Sequence, residues 1–264
     1  MMQRLNYSIT GSGQPLLLIH GMGSASTAWK PIRSELERDF KVVTVDLPGH
    51  GDTPLVPGVA MDPNNLARYV LHEMSEIGIE RFDVCGNSLG GWVALELACI
   101  APSRINSVTG LAPAGLWLHP YNVRYPATAL ARYLAKYTAK LAPTALHFEW
   151  ARALGFWDVS PKWRNFSYEL CLDAVTAMAQ ADGYYPAWDG MLMKRFDGKI
   201  PNDIPITIIF GDSDRTLPAT NCQERSVAPQ HARWIIFPEV GHAPMWDSPQ
   251  DVISAIRQTA RISK

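Results

Sequence analysis

The chain has few cysteines, and none of them is spaced as a metal ligand would be. Its four cysteines are Cys85, Cys99, Cys171 and Cys222, and no C-x-x-C pair or other metal-ligand spacing occurs among the 264 residues. We therefore expect no metal. Unpaired cysteines in a chain of this length are typical of reduced thiols, which predicts a cytoplasmic protein.

Charge bias and long apolar runs are also missing. There are 24 Lys and Arg against 25 Asp and Glu, and no block of like charge. This balance disfavours nucleic acid or an anionic membrane as a partner. No run approaches the roughly 20 apolar residues that a membrane span needs, and the start MMQRLNYSIT lacks the apolar core of a signal peptide. We expect no stable membrane insertion.

Two glycine-rich segments are present, but neither has the pattern of a nucleotide site. GSGQP (11–15) and HGMGS (20–24) lack the spacing G-x-G-x-x-G and the lysine of a phosphate-binding loop. We therefore expect no cofactor. No interface pattern is readable either, so no oligomeric state is predicted.

Apolar runs and helical patterns alternate along the chain. The predicted strands are 15–20, 41–51 (ending in a Pro-Gly turn), 81–87, 104–112, 205–211 and 232–238. The predicted helices are 29–37, 63–77, 89–101, 220–227 and 251–262. Such alternation predicts an α/β fold with a mostly parallel central sheet and helices on both faces.

The alternation stops between about residues 113 and 201. Helices are predicted at 129–141 and 166–180, and no buried strand is evident there. Because strands return afterwards, we predict a core of residues 1–112 and 202–264 with an inserted helical cap at 113–201, rather than a separate helical domain. The cap contains many aromatic residues, which we expect to pack it onto the core and to give it an apolar pocket: Trp117, Tyr121, Tyr125, Tyr133, Tyr137, Trp150, Phe156, Trp157, Trp163, Tyr184, Tyr185 and Trp188.

Chemically active side chains follow several predicted strands. Ser88 follows the third strand, the sequence GDSDRTLP follows the fifth, and His242 follows the sixth. Ligands of open α/β sheets bind at the carboxyl ends of the strands. G-x-S-x-G at a strand-to-helix turn is the pattern of a nucleophile elbow, although the serine of such a turn can also be a simple helix N-cap. The order Ser, Asp, His favours the nucleophile.

Five segments together resemble the capped serine hydrolases of the α/β-hydrolase fold, over essentially the whole chain. They are HGMG (20–23), DLPGHG (46–51), GNSLGG (86–91), GDSDRTLP (211–218) and GH (241–242). The resemblance implies an α/β-hydrolase fold, Ser88 as nucleophile and His242 as general base. For the acid, the family pattern G-x-x-D-x-x-x-P fits Gly211, Asp214 and Pro218, which leaves Asp212 as a solvated loop residue.

The resemblance also implies an oxyanion hole made by the backbone N–H groups of Met22 and Leu89. His20 and Gly21 are then expected to order the loop that carries Met22, and Asn87 is expected to support the site. His50 is expected to brace the turn after its strand. The other histidines, which have no such context, are His72, His119, His147 and His231.

Four kinds of function remain open from the sequence, the last being other triad chemistry such as thioester or lactone hydrolysis or perhydrolysis. The resemblance favours hydrolysis, through an acyl-enzyme, of a hydrophobic ester with a small to medium acid or alcohol. Asn87 and the D-R-x-x-P spelling at Asp214 also resemble meta-cleavage-product hydrolases, which cleave a C–C bond, although Ala243 stands where those enzymes often have Trp. The third is a ligand receptor with slow turnover. Serine at the elbow argues against epoxide hydrolases and haloalkane dehalogenases, which carry Asp there.

Overall fold

A seven-stranded sheet forms the centre of the molecule. The structure, a computed structural model, describes residues 2–124 and 126–261, the side chains of residues 126–129 excepted. Tyr125 and the last residue of the predicted helix 251–262 lie outside this part. The strands are β1 (Tyr7–Thr10), β2 (Gln14–Ile19), β3 (Phe40–Val45), β4 (Phe82–Asn87), β5 (Ile105–Leu111), β6 (Ile206–Gly211) and β7 (Arg233–Phe237).

The strand order across the sheet is β1-β3-β2-β4-β5-β6-β7. Only β1 is antiparallel to its neighbour, and all other adjacent pairs are parallel. In a parallel sheet every strand ends at the same edge, so the loops after β2, β3, β4, β6 and β7 meet there. The predicted mostly parallel sheet is confirmed.

The described helices cover both faces of the sheet. They are α1 (Lys30–Leu36), α2 (Pro63–Glu76), α3 (Leu89–Ile100), α4 (Pro126–Thr138), α5 (Ala142–Ala145), α6 (Glu149–Phe156), α7 (Tyr168–Gln180), α8 (Tyr184–Met191), α9 (Ala219–Cys222), α10 (Pro244–Asp247) and α11 (Pro249–Thr259). Short 3₁₀ turns occupy Ser26–Trp29, Pro102–Arg104, Ala139–Leu141 and Trp163–Asn165.

Alternation along the strands separates two buried layers. Leu17 and Ile19 of β2 belong to the layer that α2 and α3 cover, whereas Leu16 and Leu18 belong to the layer that α1 and α11 cover. Because successive side chains of a strand point to opposite faces, a continuous apolar run such as PLLLI is what a sheet covered on both sides needs.

The prediction and the structure differ at three elements. The strand β1 was not predicted, because its four residues, YSIT, contain no apolar run and lie at the edge of the sheet. The run 41–51 forms a strand only as far as Val45. The predicted helix 220–227 is wrong in length: α9 ends at Cys222, and Gln223 leaves the helical conformation as the Glu224 N–H donates to the Leu116 carbonyl.

Five helices, α4 to α8, lie between β5 and β6, and the described residues between these two strands contain no strand. Part of this segment has its own small core around Phe156, Trp163 and Phe166. The segment also docks on the loops at the carboxyl edge of the sheet, since the Gly183 N–H donates to the Gly49 carbonyl at 2.8 Å. The helical character of the insertion was predicted correctly, whereas its division from the core into a separate unit stays a prediction.

Candidate active site

The elbow between β4 and α3 holds Ser88 in an unusual backbone conformation. Its φ is 54° and its ψ is −118°, a combination that non-glycine residues rarely adopt. Two glycines make the turn possible. A Cβ on Gly86 would lie 2.1 Å from the Gly90 carbonyl oxygen, and one on Gly90 would lie 2.2 Å from the Ile19 carbonyl oxygen. The G-x-S-x-G pattern is therefore a steric requirement of this turn.

The backbone of Ser88, not its side chain, is used to fix the turn. Its N–H donates to the Leu111 carbonyl at 2.9 Å, and its carbonyl accepts from Gly91, Trp92 and Ala114. The hydroxyl makes no capping hydrogen bond to the first turn of α3. The alternative interpretation of Ser88 as a side-chain N-cap is therefore wrong, because its hydroxyl is not bonded to α3.

A buried carboxylate supports the imidazole of His242. The Nδ1 atom of His242 lies 2.9 Å from Oδ2 of Asp214, whose side chain is fully buried. The other oxygen of Asp214 accepts the Leu217 N–H at 2.8 Å. An ionised carboxylate accepts only, so we assign the proton of the neutral ring to Nδ1. The Nε2 atom is then the basic one.

Asp212 has a different environment although it is only two residues away. It is exposed, and its Oδ1 accepts the Glu239 N–H and the Ser213 hydroxyl, both at 2.8 Å. The expectation that Asp212 is merely solvated is incomplete, because it shapes the loop in which Glu239 has a positive φ of 53°. Of these two carboxylates, only Asp214 hydrogen-bonds the His242 imidazole.

Asn87 connects the elbow to the histidine loop. Its side-chain amide donates to the carbonyl of His242 at 3.0 Å and to that of Leu111 at 3.1 Å. On the other side of the elbow, a Cβ on Gly21 would lie 3.1 Å from Cβ of Ser88. Within the described residues the Ser88 hydroxyl makes no hydrogen bond to the His242 ring; such contacts often tighten only when substrate binds.

The loop after β2 is ordered by His20. Its buried ring accepts the Leu47 N–H on Nε2 at 3.0 Å, and Nδ1 donates to the Gly21 carbonyl at 2.7 Å. Burial lowers the pKa of His20, so the ring is neutral. The same loop presents Met22, and neither its N–H nor that of Leu89 has an acceptor within residues 2–124 and 126–261.

Comparison with known proteins gives the family to which these features belong. The chain matches the model of the alpha/beta hydrolase family over residues 16–255. It belongs to the alpha/beta hydrolase family. A similar relative is the pimeloyl-[acyl-carrier protein] methyl ester esterase of Nitrosomonas europaea, which is 26% identical over 96% of this chain and 98% of its own length.

Solved structures agree on the fold. The enol-lactonase of Burkholderia xenovorans has a TM-score of 0.77 and 21% identity, over 97% of this chain and 96% of that one. The meta-cleavage product hydrolase of Pseudomonas fluorescens has a TM-score of 0.73 and 17% identity, over 97% of this chain and 94% of that one. These proteins carry out different reactions, so the likeness gives the fold and leaves the reaction open.

The structure adds residues of the insertion and of α10 that the sequence did not single out. The backbone N–H of His242 donates to the Val159 carbonyl at 2.7 Å, and the Gly241 N–H donates to Oδ2 of Asp247 at 2.7 Å. The other oxygen of Asp247 accepts the Ser160 hydroxyl, and burial raises the pKa of this carboxyl. The insertion of this alpha/beta hydrolase thus helps to hold the histidine loop.

Some aromatic side chains of the insertion pack against the core, whereas the same expectation is wrong for four that are exposed, namely Tyr133, Tyr137, Trp150 and Trp157. Trp92 of α3, Trp117, Tyr121 and Trp188 of α8 form a series of edge-to-face contacts with ring centroids 5.3 to 5.7 Å apart. Nearer the site, a Cβ on Gly23 would lie within 3 Å of Met178 and Tyr184. Apolar side chains of α7 and α8 therefore cover the loop that carries Met22.

Three further findings concern metal ligands, membrane-spanning helices and pockets. Within the part of the chain that is described, no cluster of three or more His, Cys, Asp or Glu residues is arranged to hold a metal ion. No helix there has both the length and the apolar character to cross a membrane. Pockets of about 340 and 330 Å³ are lined by residues such as Gln14 and Pro205, or His72 and Arg104, away from Ser88.

Proposed function

We propose that this alpha/beta hydrolase is a serine esterase that cleaves an ester of a small to medium hydrophobic acid or alcohol. Ser88 is the nucleophile, His242 the general base and Asp214 the acid that orients the base. The backbone N–H groups of Met22 and Leu89 form the oxyanion hole. His20, Gly21 and Asn87 keep these groups in place.

The proposed reaction has two halves. Nε2 of His242 takes the Ser88 proton as the oxygen attacks the ester carbonyl, and the oxyanion is held by the two backbone N–H groups. His242 then gives its proton to the leaving alcohol, which leaves an acyl-enzyme on Ser88. Water, activated by the same imidazole, attacks this ester and releases the acid. None of these steps requires a cofactor.

One observation carries the proposal. The buried pair of His242 and Asp214, 2.9 Å apart, is tied through Asn87 to an elbow whose serine has a strained backbone and an unused hydroxyl. Backbone strain costs about 1–3 kcal/mol and is kept where function needs it. A plain βα turn would need neither the strain nor the buried carboxylate.

The substrate class rests on the lining beside the oxyanion loop. Met22 is half-buried and packs with the apolar core, and Met178 and Tyr184 cover the neighbouring Gly23. Such a surface binds hydrocarbon and offers no charge to a substrate. We propose further that residues 113–201 form a cap over this site, which opens to admit substrate and closes to exclude water. The cytoplasmic location expected from the cysteines stays a prediction, which fractionation of cells would test.

The test is hydrolysis of p-nitrophenyl esters from acetate to decanoate. We expect turnover that rises with acyl length to an optimum, and a loss of about 10⁴-fold or more in the Ser88→Ala variant. Ser213→Ala is the matched control, because it removes a half-buried hydroxyl that bonds Asp212 in the loop that also carries Asp214, and it should stay within about twofold. Activity that survives Ser88→Ala would contradict the proposal.

C–C bond hydrolysis is the second candidate, and the motifs GNSLGG and D-R-x-x-P favour it. In the structure the Asn87 amide donates to two backbone carbonyls, so its presence has a structural explanation without any diketo acid. If no ester turns over while Ser88 still reacts with a phosphonate, a vinylogous diketo acid is the substrate to try next. A stable covalent adduct with little turnover would instead support the third function, a ligand receptor.

A further inference from the structure

Helix α4 and the turn after it point their largest apolar side chains toward solvent. At about 100° per residue, the side chains on α4 itself fall within an arc of about 100° on one side of the helix. We call them the α4 stripe: Leu130, Tyr133, Leu134, Tyr137 and Leu141, with 57%, 56%, 39%, 67% and 65% of their surface exposed.

The inner side of the same helix is fixed by a polar residue. Arg132 is only 2% exposed, and its guanidinium donates to the carbonyls of Ala179 and Ala181 at 3.0 Å, where α7 ends. An amphipathic helix of a globular protein normally buries its apolar stripe against the core. In α4 the buried side carries Arg132, and the apolar stripe faces solvent. A contiguous exposed apolar patch of this kind marks an interaction surface.

The helix segment that carries the stripe has charges of one sign only, and Asp182, which follows α7, lies 3.4 Å from the buried Arg132. Lys136 and Lys140 are exposed on the same helix segment. No Asp or Glu occurs between residues 97 and 148, and of the five basic residues in this stretch Arg104, Arg124 and Arg132 pair with carboxylates elsewhere, which leaves Lys136 and Lys140 at the stripe. Leucine and tyrosine on one side, with lysines at the border, is the composition of a helix that lies in a lipid–water interface.

We propose that the α4 stripe docks this protein on an anionic lipid surface. The leucine and tyrosine side chains enter the boundary between headgroups and acyl chains, while Lys136 and Lys140 face the phosphates. The balanced charge of the whole chain led to the opposite expectation for anionic membranes, but the balance does not hold locally along residues 97–148. This docking lies on the surface and involves no spanning helix.

A second copy of the chain is the competing occupant, and charge argues against it. In a symmetric contact the same patch of both copies meets. Two α4 stripes would then bring four lysines together with no carboxylate from either helix, and like charges across an interface are unfavourable. An anionic lipid surface supplies the missing negative charge.

The experiment is co-sedimentation of the full chain with large vesicles. One set contains phosphatidylcholine alone, and the other an equal mixture of phosphatidylcholine and phosphatidylglycerol, each at low and high salt. We expect binding to the anionic vesicles that weakens with salt. Tyr137→Ser combined with Leu141→Ser should weaken it about tenfold or more. Lys136→Glu combined with Lys140→Glu should do the same, since each lysine is worth about fivefold near such a surface.

The control variants are Met193→Ser, which removes an apolar side chain that is 71% exposed outside the stripe, and Lys199→Glu. Both should bind as the unchanged protein does. Equal far-ultraviolet circular dichroism and thermal midpoints will show that the stripe variants fold. No vesicle binding, or equal binding by the stripe variants, overturns the proposal. The proposal is also overturned if gel filtration shows a dimer that is lost only in the stripe variants, and no vesicle binding is seen. Vesicle binding needs no turnover, so it succeeds or fails independently of the proposed esterase activity.

Discussion

The exchange of Asp214 for asparagine tests the role of the buried carboxylate. The carboxylate now accepts two hydrogen bonds, from Nδ1–H of His242 and from the Leu217 N–H, at 2.9 and 2.8 Å. An asparagine has one oxygen and one NH₂ group, so it can accept only one of these bonds in the same place.

The two orientations of the asparagine differ in free energy. If its oxygen faces His242, its NH₂ group meets the Leu217 N–H, and a buried donor without an acceptor costs about 1–3 kcal/mol. If its oxygen faces Leu217, its NH₂ group donates to Nδ1, and the ring moves its proton to Nε2. The second orientation loses no hydrogen bond, so it is favoured about 5- to 150-fold.

The favoured orientation stops the proposed reaction. With a proton on Nε2, His242 cannot accept the proton of Ser88, and no negative charge remains to stabilise the imidazolium. The general magnitude for this exchange in Ser-His-Asp enzymes is a loss of about 10⁴-fold in kcat. We expect a loss of about 10³- to 10⁴-fold for Asp214→Asn, with a much smaller change in KM.

The assay is steady-state hydrolysis of the best p-nitrophenyl ester, with Asp212→Asn as the matched control. Asp212 is exposed and uses one oxygen, Oδ1, for both of its bonds, so an amide oxygen can replace it. We expect this control to keep activity within about twofold. The reasoning is refuted if Asp214→Asn stays within tenfold of the unchanged protein, or if both variants lose activity equally.

Three other predictions concern the structure around the site. Gly90→Ala should lower the free energy of unfolding in urea by more than about 2 kcal/mol, because the new Cβ would overlap the Ile19 carbonyl oxygen. Gly155→Ala is the control: a Cβ there has nothing within 4 Å, so the free energy of unfolding should change by less than about 1 kcal/mol. Burial lowers the pKa of His50 from 6.5 to about 3, so the unfolded chain binds the extra proton, and stability should fall by about 1.4 kcal/mol per unit as pH falls between these values. His50→Asn should flatten that slope, and an unchanged slope would contradict the assignment. Asp247→Ala should lower kcat about tenfold or more with little change in KM, because the Gly241 N–H of the histidine loop loses its acceptor. Asp247→Asn should restore kcat, because its amide can bond the same partners. If kcat is not restored, Asp247 has only a structural role.

The fold and the residues of the candidate site could be predicted because they leave local signals in the sequence. A continuous apolar run such as PLLLI can only be a strand or helix covered on all sides, and its length and flanking glycines favour the strand. The elbow glycines form a local sequence pattern, although only Gly86 avoids a contact within the turn, since Gly90 makes room for the Ile19 carbonyl at the end of β2. Asp214 could be separated from Asp212 only through the spacing of a known family, because their residue types are the same.

Other features depend on contacts between distant parts of the chain. Val159 accepts the His242 N–H across 83 residues (242 − 159), and a backbone carbonyl leaves no trace in the sequence. Asn87 is predicted to support the site and resembles the elbow of meta-cleavage-product hydrolases, but the sequence does not indicate that its amide binds the His242 carbonyl. The pattern of α4 predicts an amphipathic helix, yet periodicity does not say which side faces the core; the buried Arg132 decides that.

Labelling with a fluorophosphonate, followed by intact mass and peptide mapping, tests the central claim most directly. The account predicts one phosphonyl group per chain, attached to Ser88, and no label in Ser88→Ala under the same conditions. Labelling should also slow by orders of magnitude in His242→Ala, whose Nε2 is the proposed base, but not in His231→Ala, whose ring bonds the Ile204 carbonyl away from the elbow. A label on another residue, or none on a folded protein, would contradict Ser88 as the nucleophile of this alpha/beta hydrolase.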